Sequence, residues 1–282
     1  MPSPQHIACF VDTGDAGREA LRSGEALRGD GGARVSAVFV APPEEVMRGG
    51  LTEWEVDAGD PHGPPRRWLE GLAAEAGAEP VLLVGDPPHA AALAWLADSD
   101  ADLAVAAAHD GRVARALLGG FATELAYGAP VDTLILAPDA ASGGVPVRRI
   151  LCAVDGSPGS DNALRACAGM ARVAGARAEV AHVVEPPLPG AKNLVADTLP
   201  MPAGRERDAR ALVDAALERL GLPGAEGVVL AGEAARALAD RAEATGAELI
   251  VLGPRSGGRP GLGGVAARLV RRAPCAVLLA RG

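Results

Sequence analysis

The chain has 282 residues and a formal net charge of −9, with an isoelectric point near 5.1; that length holds one large domain or two ordinary ones, and that charge leaves no broad basic surface for nucleic acid or an anionic membrane. Hydrophobic residues make up 49% and aromatics 2%, so the core must be built of Ala, Val and Leu, a composition suited to helices packed closely on a sheet. No apolar run approaches the roughly 20 residues of a membrane-spanning helix, and the start MPSPQHIACF lacks the regions of a secretory signal, so a cytoplasmic protein is expected.

Taken in chain order, the apolar run IACFVDTG holds Asp12, VLLVGDPP holds Gly85 and DADLAVAAAH holds Asp102; LLGGFATELAYGAPVDTLILA then runs past Gly119 and Pro130. The segment PDAASGGVPV, residues 138–147, has the composition of a linker. Beyond it the landmarks return as ILCAVDGS, VVLAGEAA, GAELIVLGPR and GLGGVAARLVRRAPCAVLLA. Asp12 and Asp155 stand 143 apart, as do Cys9 and Cys152, Gly85 and Gly232 147 apart, Asp102 and Glu248 146, and Gly119 and Gly263, like Pro130 and Pro274, 144. Ordered landmarks at nearly constant offset mark a duplicated unit of about 140 residues, giving domains at 1–140 and 147–282.

In the second copy ILCAVD, AEVAHVV, GVVLAG, ELIVLG and CAVLLA read as strands, apolar almost throughout, as in a parallel sheet covered on both faces. Helices are predicted at 158–174, 204–220, 233–245 and 264–272. The alternation gives an α/β class with two repeated doubly wound domains. Cys9, Cys152, Cys167 and Cys275 form no CxxC pair and read as small core hydrophobes.

In such a sheet, ligands gather where strands end. Asp12 and Asp155 each follow a first strand, where a carboxylate meets a ligand or caps the next helix. After the fourth strand of the second copy, GPRSGGRPGLGG carries six glycines, with Arg255 and Arg259 among them. It is neither a Walker A loop nor GxGxxG; such a loop is more often a flexible turn, and its alternative reading is a phosphate cradle at a helix start. Elsewhere, His109 beside Asp110 has no further ligand at metal spacing, and His89 lies at a helix start. Arg268, Arg271 and Arg272 near the end of the last helix are placed to offset its dipole. Residues 42–63 and 186–203, with Met47, Trp54, Leu194 and Met201, read as lids over the strand ends or as contacts to the other repeat.

The order VDGS, AHVVEP, GE, ELIVLG, a glycine-rich loop and APCAVLLA resembles the universal stress proteins, over nearly all of 147–282 and less closely over 5–137. The resemblance implies, in each half, a sheet of five parallel strands in order 3-2-1-4-5 flanked by helices, and ATP, with its Mg²⁺, bound at the strand ends. It assigns Asp155 to adenosine and Val183 to adenine through its backbone. The family's loop reads Gly-x2-Gly-x9-Gly-Ser/Thr. Here Gly253 takes the first place, Ser256 stands at the second with Gly257 beside it, and Gly263-Gly264 precedes Val265 in place of Gly-Ser. Six residues separate Ser256 from Gly263, three fewer than the pattern, and the hydroxyl missing at 264 forgoes about 0.5–1.5 kcal/mol. In the first copy, counting back from Gly119-Gly120 puts Ala106 and His109 where glycines should be, and Phe39 is matched to Val183; that half is expected to bind ATP poorly.

The implied function is a tandem, nucleotide-responsive regulatory stress protein that binds ATP in its C-terminal domain and acts on an unknown protein partner, with at most slow ATP hydrolysis. The alternative is a scaffold without nucleotide, assembled through the terminal strands CAVLLA and DTLILA into an intramolecular pseudo-dimer, or a homodimer of two chains. An ATP-pyrophosphatase-type enzyme would need SGGxDS where this chain has DGSPGSD.

Overall fold

The structure is a computed structural model that describes residues 4–29, 32–48, 54, 59–107, 120–137, 147–185, 203–254 and 263–282. The chain divides into two compact units, one for each copy. The N-terminal unit runs β1 (His6–Phe10), α1 (Asp15–Arg28), β2 (Arg34–Ala41), α2 (Glu44–Arg48), α3 (Gly63–Glu75), β3 (Glu79–Val84), α4 (Pro88–Asp98), β4 (Leu103–Ala107), α5 (Phe121–Gly128) and β5 (Asp132–Leu136). The C-terminal unit runs β6 (Arg149–Ala153), α6 (Pro158–Ala174), β7 (Arg177–Val184), α7 (Ala203–Leu220), β8 (Glu226–Ala231), α8 (Ala234–Thr245), β9 (Leu249–Leu252), α9 (Gly264–Arg272) and β10 (Ala276–Leu279). The helices predicted at 158–174 and 264–272 have those bounds, and α7 and α8 start within one residue of expectation.

Within the first unit the strand order is β3-β2-β1-β4-β5, and within the second β8-β7-β6-β9-β10. Every neighbouring pair within a unit is parallel, so each unit has the expected order 3-2-1-4-5. Strands β1, β5, β9 and β10 are buried along their whole length. Pro158 opens α6, where a missing N–H costs nothing, and Gly175 closes it in the left-handed region at φ 64°. No helix among the described residues is long and apolar enough to cross a membrane.

The two units anchor their first strands alike. The Asp102 carboxylate accepts the backbone N–H groups of Gln5 and His6 at 2.8 and 3.2 Å, and Glu248 accepts those of Arg148 and Arg149. All four cysteines are buried. Burial pushes the Cys9 thiol up to about 12, and the hydrogen bond to Cys167, then burial, push Cys152 up; such thiols behave as packing groups. In the first unit the Cys9 sulfur fills the space that a Cβ at Gly24 would need.

Candidate functional site

At the carboxyl end of β6, Asp155 accepts the Ser157 N–H and the Ser160 hydroxyl on one oxygen, both at 3.0 Å, while Ser160 Oγ accepts the Asp155 N–H at 2.9 Å. The helix cap of α6 is Ser157, with no side-chain bond. Asp155 thus shapes its own turn through Ser157 and Ser160. Gly156 turns the chain at φ 79°, a conformation that disfavours any residue with a Cβ, and Leu212 of α7 lies 3.1 Å from where that Cβ would stand.

Val183 is the penultimate residue of β7 and is half-buried. Gly253 follows β9 directly. A Cβ there would collide with the backbone of Gly159 in the first turn of α6, so packing demands this glycine whatever the loop binds. Ser256 and Gly257 lie outside the described residues, as do Arg255 and Arg259. Gly263 is the N-cap of α9 and makes no side-chain cap bond; Gly264 and Val265 are the first residues of that helix. Among the described residues, a Cβ added at Gly264 would meet only Arg268 Nη2, at 4.0 Å. In strand order, Asp155 after β6 and Gly253 after β9 flank the point where the sheet's order reverses, the usual ligand position in such sheets.

Arg268 does not serve the C-terminal end of α9 as expected; the residues in the last turn are Arg271 and Arg272. Its guanidinium reaches back toward Gly264 and donates to Glu233, because helical side chains lean toward the N-terminus. Glu233 also accepts the N–H groups of Ala235 and Arg236 at 3.2 and 3.1 Å. Burial raises its carboxyl, but those N–H groups and Arg268 outweigh it and hold the pKa below the usual carboxylate range. Glu185 accepts the Ala234 N–H at 3.2 Å. Carboxylates thus already occupy the start of α8, whereas the start of α9 has a guanidinium beside it.

The N-terminal unit has the same turn with different surroundings. One Asp12 oxygen accepts the N–H groups of Gly14 and Gly17 at 2.8 and 3.2 Å, so this aspartate does cap its helix. The matching of Phe39 to Val183 is off by one. Cys9 pairs with Ala37 in β2, and Cys152 with Val180 in β7, which sets Phe39 against His182 and Val40 against Val183. Likewise Cys9 pairs with Val105 and Cys152 with Val251, so Ala107 rather than Ala106 stands in the place of Gly253. His109 and Asp110 fall outside the described residues.

Alignment of the buried pairs Ala122 with Ala266 and Leu125 with Leu269 makes Phe121 the counterpart of Val265 and Glu124 that of Arg268. The Phe121 ring packs on Phe10 with centroids 5.4 Å apart; Phe10 is 5% exposed, and its counterpart Ala153 is half-buried. Phe39 packs against Trp54 and Trp68 at 6.3 and 5.2 Å, and Met47 is fully buried. Of residues 42–63, Met47 is thus packed inward and Trp54 lies on Phe39 of β2, while residues 49–53, 55–58 and 186–202 lie outside the described set. The sequence carried a signal for this difference: all three Phe, all three Trp and the one Tyr precede residue 128.

With the geometry in hand, comparison with known proteins places the fold and the family. A universal stress protein of Thermus aquaticus is 34% identical over 143 residues, 48% of this chain and 98% of that protein. A universal stress protein of Archaeoglobus fulgidus DSM 4304 has a TM-score of 0.67 at 18% identity, covering 99% of this chain and 97% of its own. A functionally unknown protein of Pseudomonas aeruginosa PAO1 has a TM-score of 0.70 at 16% identity, covering 99% and 93%. The two structural likenesses concern the fold alone. The model of the universal stress protein family matches residues 4–137 and again 146–281, and the chain accordingly belongs to the universal stress protein family, with two such domains in tandem.

Proposed function

We propose that this tandem universal stress protein is a cytoplasmic, nucleotide-responsive regulator that takes one ATP in its C-terminal domain and none in its N-terminal domain. The observation that carries the reading is the contrast at the fifth helix of the two domains: α9 opens beside Arg268, whereas α5 opens on Phe121 packed against Phe10, with Glu124 in the arginine's place. Asp155 and the backbone of Val183 would take the adenosine. The loop from Gly253 through Ser256 and Gly257, with the N–H groups of Gly263, Gly264 and Val265, would take the phosphates, the helix dipole and Arg268 offsetting their charge.

Any Mg²⁺ would arrive with the triphosphate. Occupancy of the C-terminal domain would then alter association with a protein partner, and any hydrolysis would be slow. The test begins with denaturing freshly purified protein and assaying the released small molecules for ATP, AMP and flavin, followed by titration with ATP and Mg²⁺. Bound adenine nucleotide, or saturable binding, supports the reading. No binding at millimolar nucleotide overturns it and leaves the scaffold.

A further inference from the structure

We infer that His182 is a positioning residue of the C-terminal site, holding the segment that presents Asp155 at a fixed height against β7; the inference rests on the nucleotide reading of that site. His182 Nδ1 lies 2.9 Å from the backbone oxygen of Val154, the residue before Asp155. A carbonyl only accepts, so Nδ1 carries the proton, whether or not Nε2 also carries one. The Val154 N–H in turn donates to Ala181 O at 2.9 Å. One residue is thus clamped at both its backbone groups by successive residues of β7. On the other side of Asp155, Ser160 and Ser157 fix the carboxylate itself. The aspartate is held from before and from after, the preorganisation that a ligand-binding carboxylate needs if binding is not to be spent on ordering it.

The N-terminal domain supplies the comparison. Its Val11 N–H makes the same strand bond, to Val38 O at 2.9 Å, but the place of His182 is taken by Phe39, which has no donor and turns its ring to Trp54 and Trp68. The second clamp is therefore present in the domain read as the binder and missing from the other. His182 acts through Val154 and not on the nucleotide.

The experiment is calorimetric titration of the full chain with ATP and Mg²⁺ in wild type, His182→Asn, His182→Gln and His182→Phe, each first checked for folding by circular dichroism. An Asn side-chain N–H falls near the place of Nδ1, and that of Gln near Nε2. The expected result is an affinity within about two-fold of wild type for Asn and about three- to ten-fold weaker for Gln and Phe, the range of one net hydrogen bond. Wild type that binds while Gln and Phe bind equally well overturns the positioning role, as does an Asn variant no better than Gln. If Phe fails to fold, the Asn and Gln pair still decides. Wild type that binds no ATP is the failure of the site reading itself, and the positioning role falls with it.

Discussion

Asp12 and Asp155 close the same turn at the end of the same strand, yet one half of the molecule packs Phe121 on Phe10 and carries Glu124 where the other has Val265, Ala153 and Arg268. What the duplication preserves are groups whose job is to satisfy backbone. Asp102 and Glu248 hold the first strands, and the N–H groups of Gly85 and Gly232 donate to the last residues of the second strands, Ala41 O and Val184 O. What it lets diverge is the volume and charge above the strand ends. A buried unpaired backbone group is costly in either half, whereas a half without a ligand is free to fill its opening with aromatic side chains, gaining apolar burial.

The comparison breaks first at Gly253. Gly253→Ala forces a Cβ into the Gly159 backbone, and unfolding in urea followed by circular dichroism should show a loss of about 3 kcal/mol. Ala107 carries a Cβ in the matching place of the other half without such a demand, so Ala107→Gly should cost far less; equal losses would mean that Gly253 is not set by packing. At Arg268 the charge contrast is tested directly. Arg268→Gln should weaken ATP binding about ten-fold, the value of a charge-assisted contact, and lower its salt dependence, while Glu124→Gln should leave binding unchanged.

A smaller effect is expected at Asp12, where the carboxylate caps α1 through Gly17. Asp12→Ala should lose about 1 kcal/mol of stability, seen in tryptophan emission because every Trp lies in that half, and should leave ATP affinity as it was. The smallest concerns acid. Glu233 is held below the usual carboxylate range by N–H groups and Arg268 against its burial, so its contribution is complete above the ordinary value of about 4.3 and is lost as pH falls through the lower folded value. Glu233→Gln should flatten the decline of stability below about pH 4 in urea unfolding, and an unchanged acid limb would assign that decline elsewhere. The Asp100 carboxyl, lowered by its hydrogen bond with His6 and by Arg34, should go on titrating in the other half.

Much of the fold was legible because apolar strands and Ala-rich helices alternate without interruption, and the repeat offsets fixed which strand was which. The site was legible only where residues act locally, as with Asp155 and its turn. Phe39 was set against Val183 when pairing aligns it with His182, and a slip of one residue in a strand moves a side chain to the other face. The 143-residue offset between the aspartates points to Val40 as the counterpart of Val183. Arg268 was read from its place in the chain as serving the helix end, but its side chain runs backward along α9 to Glu233. Gly253 looked like part of a phosphate loop, and its demand for glycine comes from α6, a tertiary contact that no local pattern displays. The 2% of aromatics, counted over the whole chain, hid that all of them sit in one half.

The asymmetry is tested most directly by calorimetric titration of the whole chain with ATP and Mg²⁺, run in parallel on Asp155→Ala and Asp12→Ala. This asymmetry predicts one ATP per wild-type chain, binding weakened at least about ten-fold in Asp155→Ala, and an unaltered isotherm in Asp12→Ala. Two ATP per chain, or a loss of binding in Asp12→Ala with Asp155→Ala unaffected, would contradict it.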